Sequence, residues 1–272
     1  AAVMSDGQRV LLSAEEGGDE ACLMARSLPG IPVLVGRKRA LGGRLAVERF
    51  GTQVLILDDG FQHWQVYRDL DIVLVDGTNP FGNGHVLPRG ILREPMEQLG
   101  RADAFIITKG DQITQDRAEA IAAKLRQYNP AAPVAMAIHK PSSCLAFAAW
   151  HDGKGHGSGA LQPDGQSVLA ISALGNPASF ERTLADAGFT VAGSLRYEDH
   201  HHYSRDDIRH MAARAAETGC LLVTTEKDAV KLPAPLIKEY DLPLYVLSIT
   251  IEFTAGQDQI DTILQAVLED KL

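Results

Sequence analysis

Val54-Leu55-Ile56-Leu57-Asp58-Asp59-Gly60-Phe61-Gln62-His63 decides how the rest of the chain is read. Four apolar residues without period-2 alternation run into two adjacent carboxylates. That predicts a strand buried on both faces, as in a parallel sheet. Parallel sheets place ligands beyond the carboxyl ends of their strands, where Asp58 and Asp59 stand. Two adjacent carboxylates suit a hard divalent cation such as Mg²⁺, which takes oxygen ligands and keeps some of its waters. Gly60 permits a sharp exit from the strand. The plainer alternative is a strand that stops at a polar Asp-Gly turn. Gln62 and His63 add two polar side chains to the same tip and favour a site.

The rest of the composition narrows the class. A chain of 272 residues predicts about two domains. A hydrophobic content of 45% is that of a globular protein with a core. A net charge of -9 argues against a nucleic-acid surface. The three cysteines, Cys22, Cys144 and Cys220, are far apart, which argues against a disulfide framework and suits a reducing compartment. No run of 18 apolar residues is present to span a bilayer.

In chain order, residues 3–12 read as a hairpin turning at Asp6-Gly7, and Asp19 opens a short helix over 20–28 that Pro29 stops. A strand over 32–35, a basic cluster at Arg37, Lys38 and Arg39, and a helix over 40–50 precede the decisive strand. A second buried strand covers 72–75 and ends at Asp76. The stretch 77–95, punctuated by glycine and proline, is a long loop of the functional kind. A strand over 105–108 and a helix over 116–128 complete the alternation of a mostly parallel, layered α/β domain.

From Ala131 the pattern changes. Short strands over 134–138 and 144–149, separated by Pro141, read as a ribbon between domains. The glycine-rich piece 151–166 reads as a flexible turn, and Gly153-Lys154-Gly155 lacks the Lys-Ser/Thr step of a phosphate loop. Strands then start at Val168, Phe189, Leu221 and Leu244. Helices follow over 205–218, from Glu226 and over 257–268, with another opened by Asn176-Pro177. These make a second, smaller α/β layer.

Several residues carry either structure or chemistry. Asp19 is a favoured helix N-cap. His200, His201 and His202 are consecutive, so they cannot all face one metal from an extended chain. Ser204 and Asp207 have capping-box spacing, as do Thr225 and Asp228. Arg93-Glu94 is by default a solvated ion pair. Asn83 lies between glycines, either orienting the loop or serving as turn chemistry.

Taken together and in order, these segments resemble the signature of the tetraacyldisaccharide 4'-kinase family. The segments are Gly18-Asp19-Glu20, the decisive stretch, Phe81-Gly82-Asn83-Gly84, Leu87-Pro88, Leu92-Arg93-Glu94-Pro95, Asp199-His200 and Thr225 to Lys231. The resemblance implies an ATP-dependent kinase of the lipid A pathway that phosphorylates the 4'-hydroxyl of a tetraacyldisaccharide 1-phosphate lipid. It implies that Asp19 and His200 are catalytic, one from each domain across a cleft, with His200 taking the hydroxyl proton. It places Arg93 and Gln62 at the nucleotide, Glu94 with Asp58 and Asp59 at Mg²⁺, and Lys227 and Asp228 near the site without a fixed role.

The implied fold is two layered α/β/α domains with mostly parallel sheets, the first like a phosphate-loop NTPase but without its phosphate loop. Residues 1–132 form the nucleotide and metal domain. Residues 133–272 hold the ribbon, about 133–150, and the smaller α/β domain. The family opens with a G-x-x-x-x-G-K-[ST] loop and the sequence has none, so the expectation is an amino-terminally truncated fragment, inactive alone. The implied setting is peripheral, at the cytoplasmic face of the bacterial inner membrane, with a lipid disaccharide substrate and neither nucleic acid nor an obligate protein partner. The alternatives are a metal-dependent phosphoesterase using Asp58, Asp59, His63 and His200, or a non-catalytic nucleotide- or lipid-binding module.

Overall fold

A computed structural model describes residues 1–153 and 160–271. The glycine-rich piece read above as a turn lies, over 154–159, outside the described residues. The chain divides into two compact units: residues 51–140 with 251–272, and residues 1–50 with 141–250. This division differs from the expected boundary near residue 132, because the first fifty residues cluster with the later part of the chain. Among the described residues no helix is long and apolar enough to cross a membrane.

The unit built on residues 51–140 holds the parallel strands β3 (Ile72–Asp76), β4 (Ala104–Thr108) and the first half of β5 (Val134–Ala146). Helix α4 (Gln115–Tyr128) starts at Thr114, whose side chain accepts from Arg117 N, and covers one face through Ile121 and Leu125. Phe105 and Ile107 of β4 meet that helix. The opposite residues of β4, Ala104 and Ile106, pack on Ile260 of α10 (Gln257–Lys271). Alternate residues of β4 thus serve two apolar layers, which is why the strand reads as an unbroken apolar run.

The decisive stretch does not form the strand its composition predicts. Residues 54–57 join no ladder, and Val54, Leu55 and Ile56 are 52%, 49% and 91% exposed. A parallel central strand needs hydrogen-bonded neighbours and a covering layer. Among the described residues no strand pairs with this one. Asp58 and Asp59 therefore sit on a turn rather than at a strand tip. The left-handed residue there is Asp59, at φ 51, and not Gly60. Gly60 is needed for close approach instead, since a Cβ there would lie 2.8 Å from Leu57 Cβ.

The expected ribbon also differs. Residues 134–146 form one strand running through Pro141, and residues 147–151 are the short helix α5 (Phe147–His151), not a strand. The neighbour of β5 is β9 (Leu244–Ala255), which is far longer than expected. Lys140 Nζ lies 2.6 Å from Glu252 Oε2 between them.

The other unit orders its parallel strands β7-β6-β8-β9, with β6 at Ser167–Ser172, β7 at Thr190–Arg196 and β8 at Leu221–Thr225. The chain leaves β6 through α6 (Pro177–Asp186) toward β7, then returns past β6 through α7 (Arg205–Thr218) to β8. The connection reverses between β6 and β8, which makes the carboxyl ends of those two strands a topological switch point. Proline at N1 and the Asn176 cap start α6 as the sequence predicts. A full capping box from Ser204 and Asp207 starts α7, and Gly219 at φ 66 ends it.

Residues 1–50 add β1 (Ala2–Asp6) and β2 (Pro32–Val35), which pair antiparallel. The expected hairpin at Asp6-Gly7 reduces to a single bridge between Ser5 and Val10. Helices α1 (Ala14–Gly17), α2 (Asp19–Ser27) and α3 (Arg39–Phe50) accompany them. Met4, Cys22, Ala25 and Val33 pack together, and Val230 joins that cluster. Val230 ends α8 (Glu226–Ala229), which is followed by α9 (Ala234–Glu239).

Phe105→Ala should destabilise its unit by about 3–5 kcal/mol, since the fully buried ring leaves a cavity between α4 and the sheet. Leu74→Ala, on edge strand β3 and 66% exposed, should cost under about 0.5 kcal/mol. Urea denaturation of the two variants checks this, and equal losses would mean the apolar layer is misplaced.

Candidate active site

The switch point of the second unit gathers the polar side chains of the site. Thr225 closes β8 and caps α8, with its hydroxyl accepting from Asp228 N at 3.1 Å. This places Asp228 against the end of β6, where its Oδ2 accepts from Ala173 N at 3.1 Å and from Thr225 Oγ1 at 3.0 Å. Asp228 is fully buried. Lys231, one turn later and 5% exposed in its side chain, puts Nζ 3.0 Å from Asp228 Oδ1 and 3.7 Å from Asp19 Oδ2. The contact with Asp228 is an ion pair by distance rather than an aligned hydrogen bond.

Asp19 is not the helix cap that its spacing suggests. Gly18 caps α2 at φ 93, and Asp19 is the first helical residue, 8% exposed. Freed from capping, its carboxylate faces His200: Nδ1 is 3.0 Å from Oδ2 and 3.2 Å from Oδ1. Asp19 and His200 thus meet within one compact unit, not one from each domain as expected. Burial works against the charge on Asp19. Attraction to His200, Lys227 and Lys231 outweighs it and holds the carboxyl below its ordinary value.

His200 itself adopts the left-handed conformation, φ 62, which few non-glycine residues adopt. This twist separates the three histidines. His201 turns to Asp207, with Nε2 3.1 Å from Oδ2, and stacks on Tyr197 at 4.8 Å. His202 is exposed. Lys227 reaches Glu20 at 3.0 Å and Asp199 at 3.7 Å. Desolvation disfavours its charge, but Glu20 and the aspartates raise its pKa overall. Tyr203 packs its ring 5.7 Å from Lys231 Nζ, and burial together with the charge of Asp228 pushes its hydroxyl well up.

The remaining predicted residues lie in the other unit. Arg93 Nη1 donates to both oxygens of Asp59, at 2.7 and 2.6 Å. Both partners are mostly exposed, so the pair separates at a cost of about 1 kcal/mol or less. Glu94 accepts from Trp64 Nε1 at 2.9 Å, Arg101 Nη2 at 3.0 Å and Gln62 Nε2 at 3.4 Å. Arg101 lies between the rings of Phe61 and Trp64, 4.4 and 4.2 Å from their centroids, and also donates to Phe61 O. Gln62 and Glu94, expected at nucleotide and metal, are thus joined to each other in a clamp on the loop after Asp59. Asn83 pins its own loop, donating to Arg89 O and accepting from His85 N.

Two residues here escaped the sequence reading. Lys231 falls in the family segment Thr225 to Lys231 without an assigned role, although its spacing of three from Asp228 on a capped turn is legible. Arg101 carried no signal, because the rings that enclose it lie some forty residues earlier.

A carboxylate-held imidazole beside the switch point of an α/β unit has the chemistry to accept a proton from a bound hydroxyl. The family model for tetraacyldisaccharide-1-P 4'-kinase matches residues 1–269. The chain is 43% identical over 266 residues to the tetraacyldisaccharide 4'-kinase of Anaeromyxobacter dehalogenans strain 2CP-C, covering 97% of this chain and 68% of that protein. It is 39% identical over 264 residues to the enzyme of that name from Halothermothrix orenii, covering 94% and 69%. The crystal structure of the "apo" form of LpxK from Aquifex aeolicus in complex with ATP superimposes with a TM-score of 0.68 at 26% identity, covering 98% of this chain and 74% of that one. The chain belongs to the tetraacyldisaccharide 4'-kinase family. Neither the phosphoesterase nor the binding-module alternative gains support from these likenesses.

The Glu94 clamp has a pH signature. Burial opposes its charge, but hydrogen bonds from Arg101, Trp64 and Gln62 prevail and hold its carboxyl below the usual range. A carboxylate with a depressed folded pKa contributes stability above its unfolded value and loses it as pH falls through the folded one. In a Trp150→Phe background, Trp64 emission should stay constant from neutral pH down to the ordinary glutamate value of about 4.3 and change only below it. Glu94→Gln should lack that step, and a transition centred above the ordinary value would contradict the clamp.

Proposed function

We propose that this chain transfers the γ-phosphoryl of ATP to the 4'-hydroxyl of a tetraacyldisaccharide 1-phosphate lipid, working peripherally at the cytoplasmic face of the inner membrane. The observation that carries the reading is the Asp19–His200 pair, with Nδ1 3.0 Å from Oδ2. With Nδ1 donating to Asp19, the lone pair of Nε2 is the proton acceptor. The hydroxyl proton passes to Nε2, the substrate oxygen bonds to the γ-phosphorus, and the bond from that phosphorus to the ADP oxygen breaks. The carboxylate of Asp19 stabilises the imidazolium that forms. Such transfer is mainly positioning and charge neutralisation.

Asp58 and Asp59 are the residues that would hold Mg²⁺. This ion needs only one or two carboxylates, with substrate phosphates and water completing its shell. When bound, the cation supplies neutralisation of the charge on the phosphate oxygens. The oxygens of Glu94 already accept from three donors, so its part is to shape the loop rather than to ligate. Separation of the exposed Arg93–Asp59 pair would release Asp59 for the cation and the Arg93 fork for a phosphate. Membership of the family and the family relationship to an ATP-complexed structure support this reading.

In the full-length protein, Asp58→Asn and Asp59→Asn should abolish Mg-dependent transfer while leaving far-UV circular dichroism unchanged. Full turnover in both variants would remove them from the metal site. His200→Ala should slow turnover by about 10²–10⁴-fold, the usual worth of a general base. His201→Ala should mainly lower the melting temperature, because it loses Asp207 and the Tyr197 stack, and His202→Ala should do little. Equal losses of turnover from all three would point to a structural role instead.

A further inference from the structure

Lys231 is a buried charged group that the reaction above leaves unused. Its side chain is 5% exposed and lies between two carboxylates, Asp228 at 3.0 Å and Asp19 at 3.7 Å. A buried ammonium is costly unless it is paired. A pair with Asp228 alone would meet that need, and it would not require Asp19 to be near.

We propose that Lys231, anchored by Asp228, is a positioning residue for the Asp19–His200 base, holding Asp19 as a carboxylate turned to His200 Nδ1. The inference rests on the reading of that pair as the general base. Its first support is the order of attachment. Asp228 is fixed at both strand ends, by Ala173 N after β6 and by Thr225 at the end of β8. Lys231 is fixed to Asp228 and covered by the Tyr203 ring. Asp19 is fixed in turn by Lys231 and by its place in α2. The geometry of the base is therefore referred back to the parallel sheet through one cation.

The second support is charge balance. Asp19, Asp228 and Lys231 together carry one negative charge, which is neutralised when His200 accepts a proton. Without the lysine, two carboxylates would face a dry space with no cation between them, and Asp19 would favour its neutral form or turn away. Lys227 also attracts Asp19, but it is not held between Asp19 and Asp228 as Lys231 is. Lys227 is engaged by Glu20 at 3.0 Å and Asp199 at 3.7 Å, and Asp199 Oδ2 stands 3.9 Å from His200 Nε2.

The test is a kinetic cycle in the full-length protein, with folding followed by circular dichroism. Lys231→Met should lower kcat by about 10- to 100-fold, within the span of couplings in one charged network, and leave KM for ATP nearly unchanged. Lys231→Arg, which keeps the cation, should recover most of the loss. In an Asp19→Asn background, Lys231→Met should add less than about a twofold loss, because the residue through which it acts is already removed. Wild-type turnover for Lys231→Met, or an equal loss in both backgrounds, would overturn the proposal. Full activity of Asp19→Asn and His200→Ala would instead overturn the reading on which it rests. If Lys231→Met does not fold, the Lys231→Met Asp228→Asn pair removes one charge of each sign and takes its place under the same two outcomes.

Discussion

Asp228 is a fully buried carboxylate, and the switch-point side of this protein is arranged around satisfying it. A buried charge left without a partner costs about 3–5 kcal/mol. The cost is avoided with one backbone N–H from the end of β6, one hydroxyl from the end of β8, and one lysine. Each of these contacts has a consequence beyond stability. The first two tie together strands whose connections diverge, where an α/β sheet opens a crevice. The third places a positive charge beside Asp19, which in turn sets the plane of His200.

The loop after Asp59 follows a similar rule, in the other unit. Arg101 is an always-charged side chain largely covered by Phe61 and Trp64, and Glu94 pairs with its Nη2. Arg68 ties the same loop lower down, pairing with Asp71 and donating to His63 O and Val66 O. In both units a cation enclosed by aromatic or apolar surface fixes the backbone that carries the candidate functional carboxylates. Two of the candidate functional residues, Asp59 and His200, sit at positive φ. Strain of that kind persists only where surrounding contacts over-determine it.

How far the sequence was legible follows from which interactions are local. The capping box of α7, the Thr225 cap of α8, the proline start of α6 and the strand–helix alternation depend on residues a few positions apart, and they are where the sequence places them. The run at 54–57 departs from the strand expected of it, because apolar composition states that a strand could be buried and not that neighbours exist to bury it. Asp19 was read as a cap because spacing alone cannot reveal a histidine 181 residues later. Its pairing with His200 entered only through the family resemblance. Lys231 and Arg101 were missed for a related reason. Their roles are set by partners that the fold, not the local pattern, brings near.

The account turns on Asp19 holding the neutral His200 ring with its Nδ1 proton inward and the Nε2 lone pair outward. Nitrogen-15 NMR of the His200 imidazole, at a pH where the ring is neutral, reads this directly. The account predicts a single tautomer, with a protonated, hydrogen-bonded Nδ1 and an unprotonated Nε2, that is lost in Asp19→Asn. A ring protonated at Nε2, or one averaging freely between tautomers in the unaltered protein, would contradict it.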